Sequence, residues 1–177
     1  MRRRELGVGH EGSEGTILHL SSGKRGALKM AVKMKWFIVR PEVSGGWGAE
    51  TRVDTSVNPP KVYHLDYRFD DWLGDHLIES YPCFIVTDSL ASALREAKLT
   101  GFETENISVS KSDLFLHAYG NGELPKFVRL VVNGRKDQDD FWLTEDQRLG
   151  ISERALEILS RHGLKHADIR QLPDALR

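Results

Sequence analysis

The densest run of chemistry-bearing side chains is His64-Leu65-Asp66-Tyr67-Arg68-Phe69-Asp70-Asp71-Trp72-Leu73-Gly74-Asp75-His76, which sets two histidines and four aspartates within thirteen residues. Imidazoles and carboxylates this close in sequence can hold a metal ion or relay a proton. Their spacing fits neither H-E-x-x-H, which seats zinc on one helix face, nor the D-x-D-x-D-G loop closed by a glutamate, which wraps calcium. The run therefore reads as a strand and a turn, with Trp72 and Leu73 anchored in the core and the carboxylates solvated. The competing reading is an enzyme site near Asp70, Asp71 and His76.

The remaining motifs carry less chemistry. Gly7-Val8-Gly9-His10-Glu11-Gly12 spells G-x-G-x-x-G, but a dinucleotide site needs a strand before it and a helix after it, to aim backbone amides at the pyrophosphate. Neither is legible around this stretch. Gly45-Gly46-Trp47-Gly48 lacks the Lys-Ser/Thr of a phosphate-binding loop and reads as a flexible loop. His162 and His166 are separated by Gly163, which interrupts the helix that would align them, so His162 is expected to be a satisfied structural histidine. Cys83, between Pro82 and Phe84, has no obvious His/Asp partner nearby in sequence to activate it, and a buried inert thiol is expected. No Ser-His-Asp arrangement of recognisable context occurs. These residues predict no catalytic group, no metal and no cofactor.

The elements that must position any site follow from apolar patterning. Lys35–Arg40 and Lys61–Asp66 are rich in β-branched and aromatic residues between Pro and Gly, and read as strands. Cys83–Val86 is a short continuous apolar run that suits a strand covered on both faces. Phe127–Val132 is another, entered through Pro125 and left through Asn133-Gly134. Residues 41–61 read as a long irregular loop. Strands and helices do not alternate regularly, which predicts an α+β fold: a single domain with a mixed or antiparallel sheet of short strands and two or three packed helices.

Two segments echo each other without a gap over eighteen residues: Val86-Thr87-Asp88 through Leu94 and Leu99 to Glu103, and Ile151-Ser152-Glu153 through Leu159 and Leu164 to Asp168. In each, a strand ends, a hydroxyl residue caps a helix, and an acid in the first turn faces the helix dipole. Leu94 and Leu159 then fall on the buried face. Such an echo can come from common strand-cap-helix grammar or from a duplication.

With 177 residues the chain fits one ordinary domain. Residues 1–35 hold eight basic and three acidic side chains, net +5, and the rest hold 17 basic and 23 acidic, net -6. The leading segment, rich in Gly and Ser, predicts a disordered basic extension over 1–33, with the domain running over 34–177. The overall net charge of -1 argues against a dedicated nucleic-acid binder. Apolar runs of four residues or so fall far short of the ~20 that span a membrane. A single cysteine and no signal-peptide pattern predict a cytoplasmic protein.

Several segments, taken in order, carry a family likeness: Met34-Lys35-Trp36-Phe37-Ile38-Val39-Arg40-Pro41-Glu42-Val43 with Gly45-Gly46, Trp72-Leu73-Gly74-Asp75, Pro82-Cys83-Phe84-Ile85-Val86-Thr87, Leu99-Thr100-Gly101-Phe102-Glu103, Leu124-Pro125-Lys126-Phe127, Gln138-Asp139-Asp140-Phe141 and Ile151-Ser152-Glu153-Arg154-Ala155-Leu156. Over residues 34–173 the chain resembles a widespread bacterial family grouped with the immunity proteins of polymorphic toxin systems. A related group carries paired C-x-x-C-G motifs; this chain has none, so no zinc ribbon is expected. The resemblance implies an intracellular protein that binds a cognate toxin and neutralises it without turnover, with neither nucleic acid nor membrane as a direct partner. The acidic clusters Asp70, Asp71, Asp75 and Asp139, Asp140 are the candidate partner contacts, able to face a basic toxin cleft. A protein-interaction module of an unrelated system fits the same composition.

Overall fold

The computed structural model describes residues 34–173, so the expected basic extension over 1–33 and its glycine motif lie outside the described residues. The elements in chain order are β1 (Trp36–Arg40), β2 (Gly45–Trp47), β3 (Arg52–Asp54), β4 (Lys61–His64), β5 (Asp66–Phe69), β6 (Leu77–Ser80), β7 (Cys83–Thr87), α1 (Asp88–Glu96), β8 (Phe102–Asn106), β9 (Ser108–Lys111), α2 (Asp113–Tyr119), β10 (Phe127–Val132), β11 (Phe141–Leu143), β12 (Leu149–Ser152), α3 (Glu153–His162) and β13 (Asp168–Gln171). The fold is α+β, as the sequence implies, although the strands divide among four small sheets rather than one. Among the described residues all strand pairings are antiparallel except β5 with β9, and Glu42 makes an isolated parallel bridge to Ile78.

The two four-stranded sheets have the same construction. One has the order β6-β7-β10-β8 and the other β11-β12-β1-β13. Thr87 faces Phe127 as Ser152 faces Trp36. Val86 faces Leu77 on one side and Val128 on the other, as Ile151 faces Phe141 and Phe37. Asn106 faces Val128 as Gln171 faces Phe37. The likeness extends to the helix starts: the Asp88 amide donates to the Lys126 carbonyl at 2.8 Å, and the Glu153 amide to that of Lys35 at 3.0 Å. The eighteen-residue echo is thus the visible part of a structural repeat, β-β-β-α-β, that runs through β1-β6-β7-α1-β8 and again through β10-β11-β12-α3-β13. Each repeat's first strand lies in the other repeat's sheet.

Helices α1 and α3 share one core that includes Leu90, Leu94, Ala155 and Leu159, with Phe84, Val86, Val128 and Leu130 from one sheet and Val39, Leu149 and Ile151 from the other. Leu94 and Leu159 are 0% and 1% exposed, as the helical spacing predicts. β7 is buried on both faces because Cys83 and Ile85 point away from this core into a second one. There they meet Val62, Tyr67, Phe69, Phe115 and Phe127, contributed by β4, β5, α2 and β10.

Residues 41–61 depart from the loop expected of them. β2 pairs with β5 and β3 with β4. The glycines serve close approach here: a Cβ on Gly45 would collide with the Arg68 carbonyl oxygen, and one on Gly48 with the Asp66 carboxylate. The stretch read as one strand over Lys61–Asp66 breaks at Leu65 into β4 and β5. Asp66, buried, accepts from the Glu50 amide and the Ser110 hydroxyl at 3.3 and 3.1 Å.

Candidate functional site

Where β1 leaves its sheet, Pro41 is followed by Glu42, whose side chain turns inward and is 7% exposed. Its backbone carbonyl accepts from the Glu79 amide at 2.9 Å, which fixes the chain against β6. One carboxylate oxygen, Oε1, accepts from the Ser44 hydroxyl and from the Leu73 amide, the latter at 2.7 Å. The other, Oε2, is buried without a hydrogen-bond partner. The Ser44 carbonyl accepts from the Asp70 and Asp71 amides at 2.9 and 3.1 Å. These bonds draw residues 42–44 and 70–73 together into one surface.

Around that junction Trp72 behaves as expected and Leu73 does not. The Trp72 indole lies edge-on to Phe127 at 5.7 Å and donates to the Asp75 carbonyl at 2.9 Å. Leu73 is 55% exposed, because its amide is held by Glu42 and its side chain faces outward. Val43 and Tyr119 are also open, and the Tyr119 hydroxyl donates to Asp71. That bond raises the tyrosine's pKa. The buried Tyr67 hydroxyl has its pKa pushed far up, first by burial, while the Ser44 backbone opposes the shift and nearby Glu42 adds to it. It approaches Ser44 without meeting hydrogen-bond geometry.

The five expected partner contacts separate into two kinds. Asp70 and Asp71 stand at the surface, Asp70 beside Arg68 at 3.8 Å. Asp139 is half-buried and accepts from the Arg135 amide at 2.9 Å. Asp75 and Asp140 face inward instead, at 1% and 5% exposure. Asp75 accepts from the Lys165 and His166 amides, each at 2.8 Å, and from His166 Nδ1 at 3.0 Å. Asp140 accepts from the Thr100 amide at 3.1 Å and the Ser152 hydroxyl at 2.5 Å. Both carboxylates turn inward to the amides of loops that follow helices, so the expectation of solvated acids is corrected for Asp75 and Asp66, and neither Asp75 nor Asp140 stands open to a partner.

Nor do Asp70, Asp71 and His76 converge on a common centre. The His76 imidazole pairs with the helix-capping Thr87 hydroxyl at 2.9 Å, while Asp71 takes Tyr119. Burial lowers the His76 pKa, the His162 imidazole adds to that, and Asp75 opposes it. His162 itself donates to the Ile158 carbonyl at 3.1 Å, and its ring is 6.3 Å from that of His76. Cys83 is buried, which pushes its thiol up, away from the reactive thiolate. Open clefts of about 610 and 510 Å³ run beside β9 and beside β4 and β10, lined in part by Lys111 and Lys126 and by Lys61 and Arg129.

Glu42 is the residue that sequence reasoning missed. Asp75 and His166 lie far from it along the chain, and a lone acid between Pro41 and Val43 gives no spacing to recognise. The structure brings one ligand atom from each of Glu42, Asp75 and His166 within 4.8 Å of one another. Compared with known proteins, the chain matches no protein-family model and no curated protein. Among the described residues, no helix is long and apolar enough to cross a membrane.

Proposed function

We propose that the chain is a non-catalytic immunity protein that binds a cognate polymorphic toxin in the cytoplasm and neutralises it. The ordered motifs over 34–173 support this reading through their family resemblance. The observation that carries it is a mixed face where residues 42–44 meet residues 70–73: Val43, Leu73 and Tyr119 stand 65%, 55% and 49% exposed around Asp70 and Asp71. Apolar side chains rimmed by like charge, and held in place by backbone hydrogen bonds, suit a protein interface. The acids give the face a sign, which speeds encounter with a basic partner more than it adds affinity.

The test is co-expression with a toxin encoded by an adjacent gene, followed by binding kinetics of the purified pair. Wild-type chain is expected to protect the host and bind the toxin. Asp70→Asn with Asp71→Asn is expected to slow association and weaken its salt dependence, and Leu73→Asp to speed dissociation. An unchanged on-rate in the acid variant removes these residues as the steering surface. Absence of both binding and protection by the wild-type chain defeats the immunity reading.

A further inference from the structure

We propose that Glu42, Asp75 and His166 form a binding site for one divalent transition-metal ion of the zinc or manganese class. The three ligand atoms already lie within 4.8 Å of one another, with both carboxylates buried and the imidazole opening the site to solvent at 39% side-chain exposure. Two carboxylate oxygens and one imidazole nitrogen are a donor set that suits such ions, with positions left for water or a further ligand.

Three observations point to a cation rather than to a structural cluster. Glu42 Oε2 is buried and accepts no hydrogen bond, whereas its partner oxygen is fixed by Ser44 and Leu73. A buried lone pair left unmatched is costly unless something occupies it. Second, neither buried carboxylate has a lysine or arginine within ion-pair distance among the described residues; His166 alone pairs with Asp75. Two carboxylates confined together need a proton or a cation between them. Asp75 retains acceptor capacity: two backbone amides hold its oxygens, and the proton between Oδ1 and His166 Nδ1 is one that a bound cation can displace.

The third observation comes from the repeat. Holding the amides of the loop after a helix is work common to both copies, done by Asp75 for Lys165 and His166 and by Asp140 for Thr100. Extending the strand registers places Asn133 of the second copy at the position of Glu42, and Gly101 of the first copy at the position of His166; the registers pair Asp75 with Asp139, so Asp140 does the matching work from one residue further on. Neither counterpart, Asn133 or Gly101, offers a carboxylate or an imidazole. The repeated scaffold therefore does not require Glu42 or His166, although Glu42 Oε1 also ties residues 42–44 to Leu73, and they are the two residues that turn a structural aspartate into a three-donor cluster.

This site is independent of the toxin-binding reading and is tested without a toxin. The full chain is stripped with chelator, then titrated with Mn²⁺ followed by electron paramagnetic resonance, and with Zn²⁺ by calorimetry. Saturable uptake of one equivalent of either ion is expected, with a rise in thermal midpoint. His166→Ala alters an exposed side chain and spares the fold; it and Glu42→Gln are each expected to weaken binding about tenfold or more, the scale on which metal sites respond to altered ligation. His117→Ala, a surface imidazole outside the cluster, controls for adventitious binding and is expected to change nothing. No saturable uptake at millimolar metal overturns the proposal, as does uptake that either cluster substitution leaves unchanged.

Discussion

The two copies of the repeat treat the outer faces of their sheets differently. Behind β7 and β10 lies a whole extra layer, reached through the long connection from β1 to β6 and the shorter one from β8 to β10. Its aromatic ladder runs from Tyr67 to Phe69 at 4.8 Å and from Phe69 to Phe127 at 5.0 Å. Behind β12, among the described residues, Trp142 lies across Gly150, and a Cβ there would strike the ring. Lys136 Nζ covers that ring at 5.7 Å. One copy is close to minimal scaffold. The other carries the inserted layer, the exposed face at Val43, Leu73 and Tyr119, and the Glu42 cluster. Because the copies share their registers, whatever differs between them is what the fold does not require.

Matched substitutions sharpen or break this comparison. The largest effect is expected in the shared core, where Leu94→Ala and Leu159→Ala should each lower unfolding free energy by about 2–5 kcal/mol. Urea denaturation would check it, and a loss at one site alone would mean that the copies do not share one core. Gly150→Ala should cost about 1–3 kcal/mol, since the Trp142 ring must move in a packed site. A shift in tryptophan fluorescence should accompany it, and an unperturbed spectrum would show that the indole does not depend on the glycine.

Smaller effects are expected at the helix caps. Thr87 Oγ1 accepts from the Leu90 amide and Ser152 Oγ from that of Ala155, at 3.3 and 3.2 Å. Replacing either by Ala should cost about 1 kcal/mol. Ser152→Ala should cost more than Thr87→Ala, because the donor it strips serves the buried Asp140 carboxylate, whereas Thr87 pairs with the half-buried His76. Equal losses would count against that distinction.

The smallest expected effect is a pH dependence confined to one copy. The His76 pKa in the folded protein lies below its ordinary value of 6.5, through burial first and His162 next. Above that value both folded and unfolded chains hold the ring neutral. As pH falls below it the unfolded chain takes up the proton first, so this contribution to stability declines on acidification towards the folded pKa. His76→Gln should flatten the stability profile below pH 6.5; an identical slope would place the titration elsewhere.

Periodic burial made much of this fold legible. The apolar run at Cys83–Val86 and the hydroxyl-acid starts of α1 and α3 gave the strand and both capped helices, because local chemistry fixes them. The half-repeat seen at 86–103 and 151–168 was readable because those residues are contiguous. Its first strands were not, since β1 and β10 share little sequence and sit in each other's sheets. Residues 45–48 read as a flexible loop because glycine signals freedom locally, whereas here it permits close approach to Arg68 and Asp66. The candidate sites were least legible. Asp75 and Asp140 have the same composition and local context as surface acids, and only the return of distant loops decides that they turn inward. Glu42 meets His166 only after α3 has been placed.

The exchanged first strands also govern how this domain can come into being. Among the described elements β1 is made first, and its sheet partners β12 and β13 follow more than a hundred residues later. Long-range pairing of this kind slows folding and leaves an apolar edge waiting. No cut between the copies yields a piece with its own complete sheets: each fragment would lack the strand that the other contains. Two such fragments are complementary by construction, each holding the missing centre of its partner's sheet.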